Sequence, residues 1–172
     1  MKEKDKIEFE NIIKELIENN TVQQMNNYRQ HCDTSCYEHC YSAASYCYII
    51  CKKLKLDYKS ATRAAMLHDL FLYDWRDSNS HKKWHAFNHP RTAYENASKL
   101  FNLNEKEKDI ILKHMWPTTV IPPKYIEGFV LTLVDKYCAV EESTAYFIKK
   151  IKTTKIFKYV AIVLGIIFMK NK

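Results

Sequence analysis

The chain has 172 residues, 47% hydrophobic and 27% charged, the balance of a soluble globular protein with one domain. Only two glycines, Gly128 and Gly165, and four prolines punctuate it, too few turn residues for a sheet protein, so helices are expected. The net charge of +7 is local: residues 149–172 hold seven of the 27 basic groups and no acidic one, leaving 20 basic against 20 acidic, which excludes a general nucleic-acid surface outside that tail.

Helical signals recur along the chain. Asp5-x-x-Glu8 is a capping box for a first helix with Ile7, Ile12, Ile13, Leu16 and Ile17 on one stripe. Ser35-x-x-Glu38 opens a second, which carries His39 and runs to about Leu54. Asp57 caps a third, "YKSATRAAMLHDL", with His68 and Asp69 in its last turn and small residues that permit close packing. The stretch "YDWRDSNSHKKWHAFNHP" has no clear period and reads as an ordered loop, with His81 and His85 as loop residues near the substrate. Pro90 suits the first turn of a fourth helix, to about Leu100, and disfavours helical geometry at His89. Asn104-x-x-Glu107 caps a fifth helix ending near Trp116-Pro117. Pro122-Pro123 starts a sixth, which carries Asp135.

The N-terminus "MKEKDKIEFE" is charged and lacks the apolar run of a secretory signal, which points to the cytoplasm. Of six cysteines, Cys32, Cys36, Cys40, Cys47 and Cys51 fall at helical spacings, while Cys138 stands apart. Side chains four apart on a helix project in parallel, and no CxxC pair is present, so reduced, mostly buried thiols are expected. The eleven uncharged residues "YVAIVLGIIFM" span about 16 Å as a helix, too short for a bilayer core of about 30 Å. The chain therefore divides into a bundle over residues 1–148 and a basic, apolar C-terminal helix over 149–172. That last helix packs on the bundle or on a second subunit as a homodimer; the alternative is weak peripheral contact with an anionic membrane.

Six residues carry the chemistry: His39, His68-Asp69, His89, His114 and Asp135. Each predicted helix from the second to the sixth offers at least one of them, inside the helix or at its end, which is how bundles build dinuclear sites from facing elements. Imidazole and carboxylate suit borderline divalent ions such as Mn, Fe, Co, Ni and Zn. A carboxylate can bridge two ions, and Asp69, beside His68, is the natural bridge. A single histidine on a half-apolar helix is more often a hydrogen-bonded core residue; six ordered elements with an adjacent His-Asp reverse that expectation. Tyr73, Trp75, Trp84 and Trp116 could stack on a base, but in a chain with twelve tyrosines packing is the default role.

In its order H…HD…H…H…D over residues 39–135, with "HP" at 89–90 and "DK" at 135–136, the chain resembles the HD-domain metal-dependent phosphohydrolases. The resemblance covers about the first 140 residues and implies an all-α bundle of six to seven helices. It also implies a first ion held by His39, His68, Asp69 and Asp135, and a second by His89 and His114 with Asp69 bridging. Catalysis would centre on Asp69 and His68: a hydroxide between two cations attacks the phosphorus of a nucleotide or another small phosphorylated metabolite. Many members read HD-x-G-K, with a lysine for the phosphate, whereas this chain reads "HDLFLYD". Arg91 and Lys136 are the candidates to replace that contact. The ligand set also serves diiron oxygenases in related proteins, and the missing lysine leaves room for a metal-stabilised regulatory module. A membrane-tethered adaptor would rest on the tail alone.

Overall fold

The computed structural model describes residues 1–77 and 84–153. Among these there are seven α-helices, a short 3-10 turn and no strand: α1 (Glu3–Ile17), α2 (Asn20–Gln23), α3 (Cys36–Lys53), α4 (Tyr58–Leu67), α5 (His85–Leu100), α6 (Glu105–Lys113) and α7 (Ile126–Thr153). The all-α expectation holds.

Two helices form the centre. Helix α3 packs along α4; α7 covers the other side of α3, while α1 and α6 flank α4 and α5 packs on α6. The α3–α4 contact is close because Ala43, Ala44, Ala61, Ala64 and Ala65, all buried, keep side-chain bulk out of it. Phe9, Leu16, Met66, Ile110 and Leu131 fill the remaining core, each contributing about 1.5–3 kcal/mol of burial. Cys36, Cys40, Cys47 and Cys51 line the buried face of α3, and all six cysteines are free, with Cys32 only half-buried. Gly128 permits a second close approach: a Cβ there would lie 2.6 Å from the Cβ of Pro123, holding the start of α7 against the preceding turn.

Three expected caps form. Ser35 and Glu38 make both halves of a capping box, Asn104 and Glu107 make another, and the Asp57 carboxylate accepts from the Ser60 amide. The Asp5 box does not form, because α1 already starts at Glu3 and both carboxylates have a better partner. Lys52 Nζ donates to Asp5 Oδ1 at 2.7 Å and to Glu8 Oε2 at 2.5 Å, tying α1 to α3.

Two boundaries differ from expectation. Helix α5 begins at His85 and carries Pro90 inside it, so His85 and His89 are helical neighbours. The ring of His85 stacks on those of His89 and Trp75, and this tertiary packing holds the turn in place despite the proline. Helix α7 starts at Ile126, past the prolines, and runs unbroken to Thr153, across the boundary at 148 drawn from charge. His81 and the apolar run 159–169 lie outside the described residues. No helix among those described is long and apolar enough to cross a membrane.

Candidate metal centre

The fold brings all six residues of the H…HD…H…H…D pattern to one place. His39 sits near the start of α3, His68 caps the C-terminus of α4 with Asp69 next to it, His89 lies in the first turns of α5, His114 caps α6, and Asp135 is on α7. His39, His68, Asp69, His89 and His114 are all buried.

The local structure sets each ring. His68 Nδ1 donates to the Ala65 carbonyl at 2.7 Å, and His114 Nδ1 to the Ile111 carbonyl at 2.8 Å. Both acceptors belong to the last turn of a helix, where carbonyls lack intrahelical partners. His89 Nδ1 donates to the carbonyl of His85, the first residue of α5, at 3.0 Å. With the proton fixed on Nδ1, a neutral imidazole presents its Nε2 lone pair inward, the orientation that outer contacts impose on metal-binding histidines.

The inward atoms fall into two groups that share Asp69. In the first, His39 Nε2 is 3.0 Å from Asp135 Oδ1, and His68 Nε2 is 3.5 Å from both Asp135 Oδ1 and Asp69 Oδ2. In the second, Asp69 Oδ1 is 3.3 Å from His89 Nε2 and 3.7 Å from His114 Nε2, and the two Nε2 atoms are 2.9 Å apart. Donors held about 2.0–2.2 Å from one ion lie about 2.8–3.6 Å from each other. Five of the six separations fall within that range, and the sixth, 3.7 Å from His114 Nε2 to Asp69 Oδ1, lies just beyond it. His68 Nε2 and Asp69 Oδ1 are also buried without a hydrogen-bond partner, a state that costs about 1–3 kcal/mol per group unless a cation takes the lone pair. The residues fit divalent metal.

Without a cation the site stores charge. Burial works against ionisation of His39, but hydrogen bonds to Asp135 and Glu142 outweigh it and raise its pKa well above the usual range. His68 is raised in the same direction, with burial overcome chiefly by the charge of Asp69. His114 is pushed down to about 3 by burial and by the rings of His68 and His89. Burial opposes ionisation of Asp69, yet the facing imidazoles bring its pKa to about 2.

Three contributors escaped the sequence reading. Glu142 Oε1 accepts from His39 Nδ1 at 2.9 Å; it lies seven residues after Asp135, on the same helical face, and that spacing was the available signal. Gln30 Nε2 donates to Asp69 Oδ2 at 2.5 Å from the segment before α3, where no periodicity marks it. His31, from the same segment, packs edge-on against His39.

A cavity of about 230 Å³ opens onto Asp69, His89, His114 and Asp135, walled by His31, Trp75, His85, Met115 and Lys136 among others. Of the base-stacking candidates only Trp75 lines it: Tyr73 holds His85 Nδ1 through its hydroxyl at 2.9 Å, Trp84 is exposed, and Trp116 packs on Phe129. Lys136 Nζ donates to the carbonyls of Trp116 and Thr132, both at 3.2 Å. Arg91 is not brought to the cavity. Its side chain is 81% exposed and pairs with Glu95 one turn further along α5, because position 91 falls on the outer face of that helix.

Compared with known families, residues 36–140 match the HD domain. No curated protein and no solved structure gave a match. The matched segment is more than half of the chain and contains the whole six-residue pattern, so the chain belongs to the HD-domain family.

Proposed function

We propose that the protein is a metal-dependent phosphohydrolase that cleaves a phosphate ester of a nucleotide or another small phosphorylated metabolite, with two divalent ions. The observation that carries this reading is the division of the Asp69 carboxylate: Oδ2 faces His68 and Oδ1 faces His89 and His114. His39, His68, Asp69 and Asp135 would hold one ion, and His89, His114 and the other oxygen of Asp69 the second. Bound there, the ions supply Lewis acidity, acidifying a water to a nucleophile near neutral pH and offsetting phosphoryl charge.

The chain's own residues do the positioning. The Gln30 amide fixes the carboxylate plane of Asp69, and the carbonyls of Ala65, His85 and Ile111 fix the three rings. Lys136 is the one Lys or Arg side chain among the described residues of the cavity wall and takes the place of the missing phosphate lysine. The cavity lies below the usual 300–1,000 Å³ of ligand pockets, which suits a small phosphorylated group.

The deciding test is purification without oxygen, followed by metal analysis and a panel of phosphomonoesters and nucleotides. Up to two ions per chain and release of inorganic phosphate that survives exchange of iron for Mn or Co are expected, because hydrolysis needs no electrons from the metal. Oxygen uptake that requires iron, without phosphate release under any metal, would assign the site to an oxygenase instead. Tight metal binding with neither activity would make it a regulatory module.

A further inference from the structure

Helix α7 has two apolar faces. Gly128, Leu131, Cys138 and Asp135 turn toward the bundle and the metal centre. On the opposite side, about 180° around the helix at 100° per residue, run Ile126, Val130, Leu133, Tyr137, Val140, Thr144 and Phe147. Their spacings alternate four and three without a break, the period of a coiled-coil seam.

Apart from Val130, which is half-buried against the core, and one edge of Tyr137, which meets the ring of Tyr46 on α3, this second face is open. Ile126 is 62% exposed, Leu133 70%, Tyr137 52%, Val140 65% and Phe147 58%. Ile148 flanks the stripe and is also exposed, whereas Lys149 continues the bundle-facing side, so towards its end the helix keeps only the outer face apolar. A helix that is apolar on opposite sides is buried on both. At about 200 Å² for a large apolar side chain, these six residues offer roughly 700 Å² of uncovered apolar surface. Monomers rarely expose so large a contiguous patch, while a stable interface takes about 800 Å² from each partner.

We infer that this face of α7 is the interface of a homodimer, in which α7 of a second copy packs along the Ile126–Phe147 seam. A second copy fits on three counts. Its seam has the same period and so stays in register along the whole length; a straight helix drifts only about 20° per heptad from it, which a gentle left-handed supercoil absorbs. The area matches what a two-fold pair needs. The seam lies on the side of α7 away from Leu131, Asp135 and Cys138, so a helix packed along it leaves the side that carries Asp135 to the cavity uncovered. The inference is independent of the chemistry assigned to the metal centre.

Analytical ultracentrifugation of the full metal-loaded chain at tens of micromolar tests it. The wild type is expected to sediment as a dimer, and Leu133→Glu with Val140→Glu as a monomer with unchanged helicity and metal content. Ile7→Glu, an exposed position on α1, leaves the dimer intact. The milder Leu133→Ala with Val140→Ala weakens association at least tenfold and guards against misfolding of the charged variant. A monomeric wild type, or a dimer that persists in both double variants, overturns the inference. So does a monomer that sediments with phosphatidylserine vesicles and loses that binding in the charged variant, which would give this face to a membrane.

Discussion

His89 and His114 meet through their Nε2 atoms at 2.9 Å while each ring's Nδ1 donates to a carbonyl of its own chain segment. With each Nδ1 so engaged, the two Nε2 atoms face each other at the distance of two donors to one cation. Asp69 Oδ1, buried and without a hydrogen bond, closes the triangle. Replacing His114 with Ala should therefore remove one ion and leave the ion held through His39, His68 and Asp135. Asp69→Ala should remove both. Elemental analysis of the purified variants reads this directly, and equal loss in the two variants would mean a single ion shared by all six residues.

Glu142 acts one step further out. Its carboxylate holds the His39 ring through Nδ1, so Glu142→Gln keeps the volume but removes the charge behind the ligand. Outer partners of metal-bound histidine are worth about 10–100-fold in affinity. A chelator competition assay should show a loss of that size at the ion held by His39, with the ion between His89 and His114 retained. An unchanged dissociation constant would reduce Glu142 to a packing role.

The pH response should reverse sign between the metal-free and metal-loaded protein. In the metal-free form His39 and His68 have pKa values raised well above 6.5 by their carboxylate partners. A raised pKa contributes stability that is fully present below the unfolded value of about 6.5 and is lost as pH rises through the folded value. The melting temperature of chelated protein should accordingly fall as pH climbs from about 6.5, by about 2–4 °C for each kcal/mol lost. Metal binding needs these rings deprotonated, so loaded protein gains relative stability over the same interval and loading releases protons. Thermal melts with and without chelator check both arms; parallel curves would show that the two rings are neutral before metal binds.

The helical class and the six residues of the H…HD…H…H…D pattern could be picked out from the chain because they rest on local chemistry. Ser35, Asp57 and Asn104 satisfy amides two or three residues away, so a short stretch of sequence specifies those helix starts. The H…HD…H…H…D pattern places one or two polar residues on each of five helices, and burying them together is what the apolar stripes around them require. The start of α5 is different. There the stacking of His85 on Trp75 and His89 outweighs the signal of Pro90, and both rings depend on neighbours brought in by the fold. Gln30 and Glu142 reach Asp69 and His39 across 39 and 103 residues, and Arg91 turns outward while Lys136 stands at the cavity wall with its ammonium on two carbonyls. Local periodicity fixes which face of a helix is apolar. Only the packing of helices against one another decides which polar atoms end within 3–4 Å, because that depends on crossings between segments far apart in sequence.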